Sequence, residues 1–160
     1  MKATVDQLKA ILSDELDIYQ QLLKLAGEKK KLLLEKFSTE LQGIVSQEEI
    51  LVQRLIDLEP ERIACVKKIT RRDDANLDQA VETVSEADGK SDLWMIGSKL
   101  RDAVAAIKKV NDENQRLLEQ ALELTQYSIK LITRAPKDVT YGASGTQNTK
   151  KGFSLIDRKA

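Results

Sequence analysis

The sequence contains no histidine, and that absence removes several chemistries at once. Phosphotransfer through a helical-bundle histidine, Glu-x-x-His di-iron sites and Ser/His or Cys/His nucleophile pairs all require one. Carboxylate chemistry alone would need acidic side chains converging inside the fold. Here they are scattered along helix faces, so the reading is of a protein that is not an enzyme, with no catalytic residues, metal or cofactor. Cys65 is the only cysteine. It cannot form an internal disulfide, which fits a reducing, cytoplasmic setting, and its surroundings, Ile63-Ala64-Cys65-Val66, mark it as a small core residue. No apolar run approaches 18 residues and no charged-then-apolar leader is visible, so neither a membrane span nor a signal peptide is expected. Aromatics are 4% and prolines two among 160 residues. The formal net charge is zero, which leaves no whole-chain footprint for nucleic acid. Lys67, Lys68, Arg71 and Arg72 form the one basic cluster, offset by Asp73 and Asp74.

What is present is Leu, Lys, Glu, Gln and Ala, with 32% charged residues, the composition of long helices. From about Thr4 to Phe37, apolar residues recur at Val5, Leu8, Leu12, Leu16, Tyr19, Leu23 and Ala26, and again at Leu33 and Phe37. Spacings of three and four place them on one helical stripe. Thr4-x-x-Gln7 reads as its capping box. A second stripe-bearing helix is expected over about 39–71, with Thr39-x-x-Gln42 as a cap, Ser46-x-x-Glu49 as a second start, and a bend at Pro60. Asn76-x-x-Gln79 caps a short helix over 76–85 that covers one end of the long ones. Gly89 turns the following loop. The last helix runs over about 92–133, with Trp94-Met95 expected to pack under that loop.

Along this last helix, Leu93, Ile96, Leu100, Ala103, Ile107, Val110, Asn114, Leu117, Ala121, Leu124, Ser128 and Leu131 follow a near-heptad seam. Asn111 and Asn114 lie at or beside it and can fix register. A neighbouring stripe appears near its end: Leu118, Leu122, Ile129 and Ile132. Two stripes make a face wide enough for more than one neighbour. Either the other long helices use both, or one stripe is left as a groove for a partner helix. The fold class expected is all-α: an elongated antiparallel bundle of three long helices plus short helices over 1–134, then a flexible, partner-binding tail over 135–160. The tail is rich in Gly, Ser, Thr, Asn and Lys and cannot bury enough to order itself. From Arg134 onward it holds six Lys/Arg and two Asp/Glu, so it carries about +4 and the body about −4.

Three stretches, "NDENQRLLEQALELTQYSIKLI", "TYGASG" and "SLIDRKA", together with the order of helices, resemble the FlgN-type family of flagellar export chaperones. The resemblance covers nearly the whole chain. It rests on Asn111-x-x-Asn114 followed by Leu117-Leu118, and on Tyr141-Gly142-Ala143-Ser144-Gly145. The segment after Gly145 has variable counterparts in the family. The resemblance implies a cytoplasmic chaperone that binds the C-terminal helix of hook–filament junction (hook-associated) subunits. It would prevent their premature assembly and deliver them to the type III export gate. It implies docking of Tyr141, with Gly142 and Gly145, on the cytoplasmic domain of the export-gate membrane protein. It places cargo binding on the lower last helix and tail, where the matching positions are Leu118, Leu122, Ile129 and Ile132, joined by Phe153, Leu155 and Ile156. The alternative reading is a self-associating helical scaffold, a weak homodimer that buries the second stripe symmetrically.

Overall fold

A computed structural model describes residues 1–35 and 39–133. Helix α1 spans Lys2–Glu35, α2 Thr39–Thr70, α3 Leu77–Thr83 and α4 Lys90–Thr133, with a 3₁₀ turn at Glu86–Asp88. No strand occurs among the described residues. The all-helical expectation holds, and each helix begins and ends within a few residues of where the periodicity places it.

Local signals explain most boundaries. Asn76 caps α3 as expected: its side chain accepts from the Gln79 amide, and Gln79 Oε1 accepts from the Asn76 amide, both at 3.0 Å. Gly89 takes the left-handed conformation that the turn into α4 demands, at φ 98°. At the end of α2 it is Arg71 that turns left-handed, at φ 57°. Two expected starts are corrected. Thr4 lies inside α1 rather than capping it. α2 runs unbroken through Ser46, whose hydroxyl donates to the Gln42 carbonyl one turn back, so no new helix starts there. α2 also continues through Pro60, at the cost of the backbone hydrogen bond that Pro60 cannot donate to the Ile56 carbonyl.

α1 is the central element, packed along both α2 and α4, while the α2 and α4 backbones scarcely meet. α1 and α2 are antiparallel: Glu15 pairs with Arg62 and Lys29 with Glu48. α1 and α4 run in the same direction, so the antiparallel packing is that of α1 against α2 and does not extend to α1 against α4. Lys9 meets Asp92, Lys30 meets Glu113 and Ala26 meets Asn114, so the α4 partner lies 83 to 88 positions further along the chain. The short α3 reverses the chain after α2, and up-down-up order makes the first and last helices parallel.

The core forms two zones. At one end α3 lays Ala80, Val81 and Val84 over Val5, Leu8, Leu12, Cys65, Val66, Ile69 and Leu93, all buried. This is the covering role read from the sequence, and Cys65 is the core residue expected. The middle is filled by Ile18, Leu22, Leu25, Ile44, Leu51 and Ile107. Trp94 and Met95 are about half exposed, at 58% and 47%, so they do not pack under the loop as expected. Their positions follow Leu93 by 100° and 200° around the helix, which turns them off the buried side.

Candidate functional site

The register fixes where the bundle stops. Carrying the α1–α4 offset to the end of α1 puts Glu35 beside about residue 120 of α4. The last 12 or so residues of α4 therefore run about 20 Å past the described end of their neighbour. Burial along α4 changes at that point. Leu93, Leu100, Ile107, Asn111 and Asn114 are buried, spaced by seven, seven, four and three along the side facing α1. The same side continues through Leu118 and Leu122, which are half-buried, to Ile129 and Ile132, which are 46% and 82% exposed. The second stripe is thus the continuation of the α1-facing side beyond the point where α1 ends. The seam residues Leu124 and Leu131, expected in the core, are 53% and 54% exposed, and Tyr127 beside them is 61% exposed. All five large apolar side chains from Leu124 to Ile132 are exposed in a segment that is still helical.

Polar groups close the bundle immediately before this segment. Lys29 Nζ and Glu48 Oε2 are 2.9 Å apart, with side chains 1% and 2% exposed. Burial pushes the Glu48 carboxyl up, and the Lys29 ammonium only partly offsets that. Lys30 donates to Glu113 at 2.7 Å, and this contact holds the Glu113 carboxyl below its ordinary value. Asn114, fully buried, donates from Nδ2 to the Ala26 carbonyl at 2.9 Å, while its Oδ1 has no hydrogen-bond partner. The small Ala26 allows that approach. Asn114 thus ties α4 to α1 at one register, and Asn111 is buried one turn before it, both on or beside the seam read from the sequence. Sequence reasoning passed over Lys29 and Glu15, both buried. Their signal was spacing: each falls on the apolar stripe of α1, between Ile11 and Ile18 and between Ala26 and Leu33.

Of the candidate residues, the structure brings Leu118, Leu122, Ile129 and Ile132 onto one side of one helix. Tyr141, Gly142, Gly145, Phe153, Leu155 and Ile156 lie outside the described residues. Among the described residues no group of His, Cys, Asp and Glu could hold a metal ion, and no helix is long and apolar enough to cross a membrane. In the basic cluster, Lys67 pairs with Asp73 and Arg72 makes a two-point contact with Asp74 at 3.2 and 3.1 Å, so half of its charge is met locally.

No solved structure matches the chain. Uncharacterized protein YvyG of Bacillus subtilis (strain 168) is 25% identical over 161 aligned positions, covering 99% of this chain and 98% of that protein. The family model described as FlgN protein matches residues 1–149, spanning all four helices and the Tyr141–Gly145 segment. The chain belongs to the FlgN family.

Proposed function

We propose that the protein is a flagellar export chaperone. It holds the C-terminal amphipathic helix of the hook–filament junction subunits in the cytoplasm, prevents their premature assembly and delivers them to the export gate. Family membership supplies the class of activity. The observation that carries the site is the apolar end of α4, helical and without a packed neighbour among the described residues. A preformed apolar helix side of this kind suits a partner helix, which would use its own leucines at i, i+3, i+4 and i+7 as anchors. Cargo binding falls on Leu118, Leu122, Ile129 and Ile132, joined by Phe153, Leu155 and Ile156. Tyr141, directly before Gly142 and four residues before Gly145, docks on the cytoplasmic domain of the gate protein, its ring buried and its hydroxyl giving direction.

Calorimetric titration with C-terminal peptides of the junction proteins tests this directly. Binding near one-to-one, lost in the Ile129→Glu/Ile132→Glu variant, is expected. A stable homodimer that ignores both peptides would instead identify the scaffold reading, with the α4 end buried against a second copy. In the same preparations Tyr141→Ala is expected to leave cargo binding intact and to weaken gate-domain binding by about thirty-fold, a loss of about 2 kcal/mol. Unchanged gate affinity would remove Tyr141 from that role.

A further inference from the structure

Because α2 and α4 pack on α1 but scarcely on each other, a groove of about 780 Å³ lies between them. Its apolar lining includes Tyr19 from α1, Leu55 and Ile56 from α2, Leu77 from α3, and Leu100 and Val104 from α4, and the charged Glu15, Glu59, Arg62, Arg101 and Lys108 share the walls. Tyr19, Leu55, Ile56 and Val104 are half-buried and Ala105 is exposed, so the trough is open rather than filled core, with an apolar strip between charged side chains. One wall carries a polar group that the fold leaves incomplete. Arg62 Nε is buried and has no hydrogen-bond acceptor. It sits 3.4 Å from Glu15 Oε1, close enough to pair as ions only. The near mouth of the groove, at Lys108, is about 24 Å along α4 from Leu124, where the exposed end begins, so the groove is separate from the helical part of the site proposed for cargo.

We propose that this groove is the docking site of the chain's own segment Phe153–Asp157. The inference concerns the chain free of cargo and rests on the proposed function only in that Phe153, Leu155 and Ile156 leave the groove when they join the cargo site. Three observations select this occupant. The first is reach. Thr133 is about 38 Å along α4 from Lys108, at the near mouth, and about 54 Å from Gly97, at the far one. Twenty residues separate Thr133 from Phe153 and can span about 66 Å, so the cluster reaches every part of the groove. Tyr141, eight residues on, spans only about 26 Å and cannot enter it. Tail docking therefore leaves Tyr141 outside.

The second is composition. Phe153, Leu155 and Ile156 are the apolar cluster of a segment otherwise made of Gly, Ser, Thr, Asn, Gln and Lys. They match the apolar strip of Tyr19, Leu55, Ile56 and Val104. Asp157, next to that cluster, brings a carboxylate that can pair with the part-exposed Arg62 guanidinium on the wall. The third is charge. The segment from Arg134 carries about +4 and residues 1–133 about −4, so the tail is drawn to its own body over the distance that salt leaves unscreened. A second copy offers the same charges at lower effective concentration than a tethered segment does.

The test is paramagnetic relaxation on the full chain, with a nitroxide on the Ser154→Cys variant in a Cys65→Ala background. Amides of Leu55, Ile56, Val104 and Ala105 are expected to lose more than half of their intensity. The loss should reverse on adding Phe153→Asp and Ile156→Asp, and in the groove variant Ala105→Glu, whose exposed position leaves the core untouched. The proposal is overturned if groove amides keep their intensity, or if broadening is confined to residues 118–132. It is equally overturned if broadening appears in isotope-labelled chains merely mixed with spin-labelled ones, since the occupant would then be a second copy. Groove signals that ignore the tail but move on adding a junction-protein peptide would assign the trough to cargo instead.

Discussion

Lys29 and Glu48 show how a charge can be interior in a chain that is one-third charged. Each is at most 2% exposed, and they meet at 2.9 Å. The pair gains little over an apolar one, because both ions lose their water, but removing one partner leaves the other stranded. Glu48→Ala is expected to cost about 3 kcal/mol. The double replacement Lys29→Met/Glu48→Leu should recover most of that, as read from urea midpoints in a double-mutant cycle. Equal losses in the single and double variants would mean that the site cannot close around apolar side chains. Within Glu28-Lys29-Lys30-Lys31 nothing about Lys29 itself distinguishes it from its solvated neighbours. Only its place on the stripe of Ala26 and Leu33 does so. Asn111 and Asn114 were legible by the same rule, since a polar residue on a seam is conspicuous among leucines.

α4 is 44 residues long and α1 34, and the two start close together. The difference is the free apolar end. Leu118 and Leu122 sit where the neighbour is ending, and Ile129 and Ile132 lie beyond it. Substitutions should separate accordingly. Ile132→Glu, at a position 82% exposed, is expected to change stability by less than about 0.5 kcal/mol. Leu122→Glu, half-buried, should cost about 1–2 kcal/mol while the helical circular dichroism persists. A large loss at Ile132 would show that something other than a separate partner covers this end in the free protein. The periodicity of α4 displayed both stripes but not which one faces α1. At 100° per residue the heptad seam drifts around the helix, so Leu124 and Leu131 leave the packed side while Leu118 and Leu122 stay on it.

Across the whole molecule, acidic groups respond to pH in two opposite senses. Burial raises the Glu15 and Glu48 carboxyls above 4.5. The folded state then binds protons that the unfolded state has released, so stability falls as pH rises through their folded values. Glu113, held down by Lys30, and Asp74, held down by Arg72, act the other way. Their stabilisation is present above 4.5 and 3.8 and is lost as pH falls through their lowered values. Urea midpoints are therefore expected to fall as pH rises above 4.5 through the raised folded values of Glu15 and Glu48, and to decline also as pH falls below about 4. Glu48→Gln should reduce the fall on the alkaline side. A midpoint that only climbs as pH rises above 4.5 would show that the buried carboxylates are better compensated than their surroundings indicate.

Sequence alone determined the elements, because helix periodicity, the Asn76 cap and the Gly89 turn act over a few residues and are written locally. It also determined that one helix carries more apolar surface than a single seam requires. The tertiary structure decided what that surface does. The parallel register of α1 and α4, the burial of Lys29, Glu48 and Glu15, and the opening between α2 and α4 all depend on the relative rotation and offset of whole helices. Those quantities are set by ridges and grooves packing between residues 19 to 88 positions apart in sequence, and no short window of residues contains them.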